Sequence, residues 1–195
     1  MATLGLEVGE KQVTQLIQFT ELLRHWNRSY NLTAIQEPLE MVSLHLLDSL
    51  AVCPYLKGKD ILDLGTGAGL PGIPLAILNP GIGFFLLDSN GKKVRFVRQA
   101  IMELGLTNVQ TVQTRMESYR PVGKFATIIS RATADLETLW GVARLLLASP
   151  GTLLIMKGRW PADAITTLNA HSPLVHRLEV PFLCAERHLI EIRHD

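Results

Sequence analysis

Three features of this sequence predict an α/β fold built on a doubly wound, mostly parallel sheet. From residue 60 onward short apolar strand patterns alternate with helical ones. The first strand pattern runs straight into a turn with glycine at every second position, then into a helix. The second strand pattern, residues 83 to 88, is apolar and ends in a carboxylate, Asp88.

The chain opens with two helical patterns. Residues 10 to 30 carry Val13, Leu16, Ile17, Leu23 and Trp26 as a stripe broken by polar Thr20. Arg24, His25 and Arg28 near its end read as a solvated face beside the negative helix C-terminus, a phosphate contact being the alternative. After a loop at 31 to 36, a second helix is predicted over 38 to 52 with Met41, Leu44, Leu47 and Leu50 inward. It places His45 and Asp48 one turn apart, either as a hydrogen-bonded pair at a site or as a surface pair. Strands are predicted at 60 to 65, 83 to 88, 109 to 113, 125 to 130 and 151 to 157. Helices are predicted at 71 to 79, 90 to 105, 135 to 148 and 161 to 169. The apolar segments at 175 to 182 and 187 to 193 have only a short connection, which predicts an antiparallel hairpin at the sheet's edge. The expectation is one domain over 1 to 195, with 1 to 56 a helical cap on a Rossmann-like core at 57 to 195. No repeat, low-complexity segment or long linker interrupts it.

In the turn, Gly65, Gly67 and Gly69 alternate with Thr66 and Ala68. Such a backbone can take positive φ and approach a ligand with no Cβ in the way. Pro71 suits the first turn of the next helix, whose free N–H groups are expected to face the same crevice. A dinucleotide fingerprint also matches from Gly67 to Gly72, but it starts one turn too late, because Gly65 already occupies the strand's end. Asp88 follows the last glycine of the turn by 88 minus 69, or 19, residues. In a parallel βαβ unit that spacing sets the acid beside the glycine turn, where it can accept hydrogen bonds from ribose hydroxyls. The ligand expected is therefore one that contains a nucleoside. Asp88 has a second possible role as the N-cap of the helix that follows.

Composition narrows the class. The 195 residues suit one domain with a substantial core, 47% of them are hydrophobic and the net charge is +1. That balance argues against wrapping nucleic acid by bulk charge and leaves room for a local basic patch. Cys53 and Cys184 form no CxxC pair and no metal-ligand cluster with the six histidines. Free thiols, no metal, no signal peptide and no membrane-spanning run predict a cytoplasmic protein.

Five parallel strands with a terminal antiparallel insertion resemble the seven-stranded class I S-adenosylmethionine-dependent methyltransferase fold. A dehydrogenase of this architecture normally needs a second lobe for its substrate, and too few residues lie outside the sheet. The methyl donor carries its group on an activated sulfonium, so the protein's task is mainly alignment. At the fourth strand's tip the chain reads Ile128, Ile129, Ser130, Arg131, Ala132. It lacks there the Asn- or Asp-Pro-Pro-aromatic loop of enzymes that methylate exocyclic amines, and it lacks a Pro-Cys nucleophile for cytosine C5. A lone-pair acceptor such as guanine N7 needs neither.

Whole segments then resemble one family. Residues 26 to 33 (WNRSYNLT), 45 to 49 (HLLDS), 63 to 74 (DLGTGAGLPGIP), 87 to 89 (LDS), 91 to 96 (GKKVRF), 130 to 132 (SRA), 157 to 158 (KG) and 186 to 188 (ERH) are similar to the bacterial small-subunit ribosomal RNA methyltransferase G family, also called glucose-inhibited division protein B. The resemblance runs nearly end to end and includes the N-terminal cap. It implies N7 methylation of one guanosine, position 527 in the 530 loop of 16S rRNA within the small ribosomal subunit, with S-adenosylmethionine as donor. A monomer is the expectation, though nothing in the sequence fixes the oligomeric state. Carried over by position, the resemblance makes Gly65, Gly67 and Leu70 cofactor contacts in the turn and turns Asp88 and Ser89 toward the ribose. Met116 and Glu117 then lie along the adenine. Met116 stands where the family carries a smaller aliphatic residue, which shifts that contact to the backbone. Arg131 stands near the methionine moiety and the target base as a positioning group, with no general base; its structural alternative is an ion pair with Asp63 or Asp135. For RNA, Arg115, Lys157, Arg159, Arg187 and His188, near predicted strand ends, form the preferred phosphate surface. Lys92, Lys93, Arg95 and Arg98 crowd one helix whose charged side reads equally well as solvated. Trp160 either stacks on a base or covers the last helix. A nicotinamide-dependent reductase and a non-catalytic ribosome-binding protein remain as alternatives.

Overall fold

Seven strands form one sheet in the order β3-β2-β1-β4-β5-β7-β6. They are β1 (Asp60–Leu64), β2 (Gly83–Asp88), β3 (Val109–Gln113), β4 (Phe125–Ser130), β5 (Leu147–Lys157), β6 (Leu174–Arg177) and β7 (His188–His194). The computed structural model describes residues 5 to 131, 136 to 160, 162, 166 and 168 to 195. Strands β1 to β5 pair in parallel, whereas β7 is antiparallel to both β5 and β6. The C-terminal hairpin is thus present, with β7 inserted beside β5 and β6 left as the edge.

Because helices cover both faces, the central strands read as unbroken apolar runs. Alternation then sorts their side chains between two cores. Ile61, Ile129, Leu154 and Leu189 join one with helices α1 (Glu10–Tyr30), α4 (Gly72–Leu78) and α5 (Gly91–Glu103), while Leu62, Ile128, Leu153 and Ile190 join the other with α6 (Leu136–Leu146). Two strands deviate from their predicted bounds by more than one residue. β5 begins at Leu147 instead of 151, with an irregular register against β4 between Phe125 and Thr127, and β6 ends at Arg177 instead of 182. Most of the helix predicted over 161 to 169 lies outside the described residues.

The N-terminal helices correct the expected packing face. In α1 the buried residues are Leu16, Phe19, Thr20, Leu23 and Asn27, while Val13 and Ile17 are exposed. Thr20 tolerates burial because its hydroxyl donates to the Leu16 carbonyl. Asn27 does so because its amide donates to the Thr33 carbonyl at 2.9 Å and its oxygen accepts the Thr33 N–H at 2.8 Å. This one side chain shapes the loop at 31 to 36. α1 ends where Asn31 takes the left-handed conformation (φ 49°), which asparagine tolerates.

The second helix is not uniform. α2 (Pro38–Met41) starts with proline in its first turn, passes into a π-helical segment, Val42–Leu47, and resumes as α3 (Asp48–Leu50). The wider π turn changes which backbone groups pair. The Asp48 N–H donates to the carbonyls of Ser43 and His45, so it bypasses the Leu44 carbonyl, its ordinary α-helical partner.

Candidate active site

In an open parallel sheet a ligand crevice forms at the carboxyl ends of the strands where the order reverses, here between β1 and β4. The register pairs Asp63 with Ile129, so Gly65 and Arg131 follow as neighbours at the two strand tips. Ser130 ties the tips together by donating its hydroxyl to the Leu64 carbonyl at 2.7 Å.

On the β1 side the glycine turn has the predicted conformation. Gly65, Gly67 and Gly69 all have positive φ, at 73°, 59° and 77°. A Cβ on Gly65 would meet nothing within 4 Å, so the backbone there is open to a ligand. The Gly65 and Thr66 N–H groups donate to the Leu87 carbonyl, which holds the turn against β2. Asp88 lies beside it as expected: Oδ2 accepts the Gly67 N–H at 2.9 Å and Oδ1 accepts the Asn90 N–H at 2.8 Å. The N-cap of α5 is Asn90, whose side chain accepts from Lys92 and Lys93, so Asp88 does not serve as that cap.

The first turn of α4 departs from expectation. Its N–H groups are consumed internally, Gly72 to Asp63 Oδ2, Ile73 to the Gly69 carbonyl and Leu75 to the Pro71 carbonyl, so they do not face the crevice. Asp63 is fully buried and also accepts from the Thr66 hydroxyl at 2.7 Å. Burial raises its pKa to about 6 against the opposing effect of these donors.

Two cavities flank the reversal point. One, of about 380 Å³, is lined by Gly65, Leu87, Asp88, Ser89, Lys93, Thr114, Arg115, Met116 and Glu117. It gathers most of the predicted cofactor residues; Gly67 touches it through Asp88. Leu70 is different, being buried in the core, 2% exposed. Arg115 lines this cavity as well, apart from the other predicted RNA residues. The second cavity, of about 310 Å³, is lined by Ile35, Leu44, His45, Asp48, Arg131, Met156, Lys157, Gly158, Leu178, Arg187 and His188. Lys157, Arg187 and His188 are thus walls of a pocket, whereas Arg159 lines neither cavity. Trp160 is exposed and sets its ring edge-on to His188, with centroids 5.3 Å apart.

The centre of the second cavity is a charge cluster that was only partly foreseeable. Arg187 Nε donates to Asp48 Oδ1 at 2.9 Å, and Arg131 Nη1 lies 3.7 Å from Asp48 Oδ2. The ion-pair partner of Arg131 is therefore Asp48, not Asp63; Asp135 lies outside the described residues. Arg131 Nη1 also donates to the Leu44 carbonyl at 3.3 Å, the group that the Asp48 N–H bypasses. Burial raises the Asp48 pKa against the pull of Arg187 and Arg131, and burial lowers that of Arg131 against the pull of Asp48 and Asp63.

His45 and Asp48 do not pair with each other. The His45 Nε2 lies 2.8 Å from the Thr33 hydroxyl and its Nδ1 lies 3.0 Å from the Leu44 carbonyl. Burial first, then Arg131, lowers its pKa to about 4, so the imidazole is neutral at pH 7. The helical cap thus supplies one wall of the second cavity through the relay Asn27, Thr33, His45. The sequence singles out Arg131 and Arg187 separately and Asp48 through its spacing from His45, with nothing in it to join the three.

Comparison with known proteins places the chain in a family. A family model described as rRNA small subunit methyltransferase G matches residues 12–190. Proteins named ribosomal RNA small subunit methyltransferase G from Methylococcus capsulatus and Nitrosococcus oceani are each 50% identical to this chain. The alignments cover 99% and 97% of this chain and 95% and 90% of those proteins. Among solved structures, a magnesium protoporphyrin IX methyltransferase from Synechocystis with bound S-adenosylmethionine superposes with a TM-score of 0.63 at 17% identity, covering 97% of this chain and 99% of that one. An S-adenosylmethionine-dependent methyltransferase from Aquifex aeolicus gives 0.59 at 17%, covering 79% and 92%. At such identities these two establish the fold alone.

Proposed function

Since the chain belongs to the rRNA small subunit methyltransferase G family, we propose that it moves a methyl group from S-adenosylmethionine to N7 of guanosine 527 in the 530 loop of 16S rRNA. The observation that supports this reading is the placement of two cavities on either side of the Gly65 and Arg131 tips, one lined by the uncovered Gly65 turn and Asp88 and one lined by Arg131, Lys157 and Arg187.

The donor cavity fits the cofactor: Gly65 leaves its backbone uncovered, and Asp88 keeps acceptor capacity for ribose hydroxyls beyond the two N–H groups it already accepts. Ser89 borders the sugar side, and Met116 and Glu117 border the base. When bound, S-adenosylmethionine supplies a methyl already activated on sulfur, which the N7 lone pair can take as the C–S bond breaks, with no proton to remove. The chain's own groups accord with that economy. His45 has both ring nitrogens engaged and is neutral, so it has no free basic atom to offer. Arg131, tethered by the Leu44 carbonyl and Asp48, serves as a positioning cation at the junction of the cavities. Lys157 and Arg187 add positive charge for the RNA backbone.

Among the described residues no group of metal-ligating side chains occurs, and no helix is long and apolar enough to cross a membrane. Family membership weighs against a nicotinamide-dependent reductase. The test is reaction of the purified protein with small subunits that lack the mark, followed by mapping of the modified nucleotide. Methyl transfer to N7 at position 527 is the expected result. Cofactor binding without transfer to that position would overturn the reading.

A further inference from the structure

The second cavity presents a donor and an acceptor side by side, which is the pattern needed to read one purine and refuse the other. Resting on the guanine-N7 reading above, we propose that Asp48 and Arg131 together recognise the target base. Arg131 donates to guanine O6 while the Asp48 carboxylate accepts from N1–H and the 2-amino group.

The order of groups along the sheet's edge carries the argument. Along the carboxyl edge of the sheet the donor cavity lies at the tips of β3, β2 and β1, Arg131 follows at the tip of β4, and Asp48, reaching in from α3, links Arg131 to Arg187, the residue before β7. Read in sequence, the guanine rim offers N7 for the methyl, O6 as an acceptor, then N1–H and N2–H as donors. The two series match group for group. Adenine would set its 6-amino donor against the guanidinium and its N1 lone pair against the carboxylate, a mismatch at both places.

Both reading groups are held in place by neighbours that line the same cavity. Arg187 pins Asp48 Oδ1 at 2.9 Å, while Oδ2 faces Arg131 across 3.7 Å, beyond hydrogen-bond range. Arg131 is held by the Leu44 carbonyl that the Asp48 N–H bypasses, and Leu44 itself lines the cavity. Asp48 is 4% exposed, so its contacts act with little competition from water. As N7 is alkylated the ring becomes cationic and its N1–H and N2–H become stronger donors. The Asp48 contact therefore strengthens toward the transition state and supports turnover as well as binding.

The experiment compares guanosine with inosine, which lacks only the 2-amino group, at the target position of small subunits reconstituted from ligated 16S rRNA. The wild type is expected to favour guanosine about tenfold in kcat/KM, the scale of one good base contact. Asp48→Asn keeps the side chain's shape and Asp48→Ala removes it. Both are expected to lose most activity on guanosine, chiefly in kcat, and to treat the two bases within about twofold of each other. Unchanged S-adenosylmethionine affinity and a single cooperative thermal transition in Asp48→Asn, at a midpoint lowered by the loss of the charge opposite Arg131 and Arg187, report that fold and donor cavity persist. A purely structural Asp48 would lower both rates and leave the guanosine preference in place, and that result overturns the proposal. So does wild-type indifference to inosine. A wild type that binds S-adenosylmethionine yet methylates neither subunit refutes the guanine-N7 reading itself, and this proposal with it.

Discussion

Asp88 Oδ2 accepts the Gly67 backbone N–H at 2.9 Å, so the acid at the end of β2 also fixes the glycine turn at the end of β1. Its other oxygen accepts the Asn90 N–H at 2.8 Å and orients the start of α5. Asp88→Ala leaves two N–H groups without their charged acceptor, and each such bond contributes about 1.5–3 kcal/mol. We expect a lower thermal midpoint together with at least about tenfold weaker S-adenosylmethionine binding by calorimetry. Asp88→Asn keeps one acceptor oxygen and should retain more stability than affinity. Wild-type affinity in the alanine variant would remove Asp88 from the ribose site.

Gly65 and Gly72 separate ligand binding from folding. A Cβ at Gly65 meets no protein atom within 4 Å, and its φ of 73° makes alanine strained by about 1–2 kcal/mol. The new methyl projects where a ligand approaches, so Gly65→Ala should stay folded and lose cofactor binding. At Gly72 a Cβ would run into Leu86 Cδ2 and stand 2.8 Å from Asp63 Oδ2. Gly72→Ala should therefore lower stability by about 1–3 kcal/mol, read as a fall in thermal midpoint. Equal loss of cofactor binding in both, with equal stability, would contradict this division.

The contrast between what the residues announced and what they concealed follows the range of the interactions. The glycine turn and Asp88 were legible because each rests on local pattern within one βαβ unit, and the hairpin because its two apolar segments are adjacent in the chain. The packed face of α1 was misread because Thr20 and Asn27 are buried while Val13 and Ile17 are not. Only the partners of those two polar side chains, the Leu16 carbonyl and the loop around Thr33, explain it. The cluster of Asp48, Arg131 and Arg187 was the least legible, since strand order joins three distant positions and a π turn, with no clear signature in composition, takes the Asp48 N–H off the Leu44 carbonyl.

Ser49, next to Asp48, is fully buried, and its hydroxyl has no hydrogen-bond partner among the described residues. Burying an unpaired hydroxyl costs about 1–3 kcal/mol, whereas alanine removes the group and leaves only a small void. Ser49→Ala should match or exceed the wild-type thermal midpoint. A clear fall would show that the hydroxyl is satisfied after all.

His45 and Asp63 set opposing pH dependences of stability. With a folded pKa of about 4 against 6.5 unfolded, His45 resists a proton that the unfolded chain accepts. Its contribution is complete above pH 6.5 and is lost as pH falls through 4, a total of up to about 3 kcal/mol. Asp63 runs the other way. Its folded pKa of about 6 lies above the unfolded 3.8, so its contribution is present below pH 3.8 and is lost as pH rises through 6. Between about pH 4 and 6 the two offset each other, and the wild type should change little on their account. His45→Gln removes only the first effect and offers an amide to Thr33 in place of the ring. The gap in thermal midpoint between wild type and variant should therefore narrow steadily as pH drops from 6.5 toward 4. Parallel curves across that window would mean that His45 titrates normally and that the wall it forms beside Arg131 is open to water.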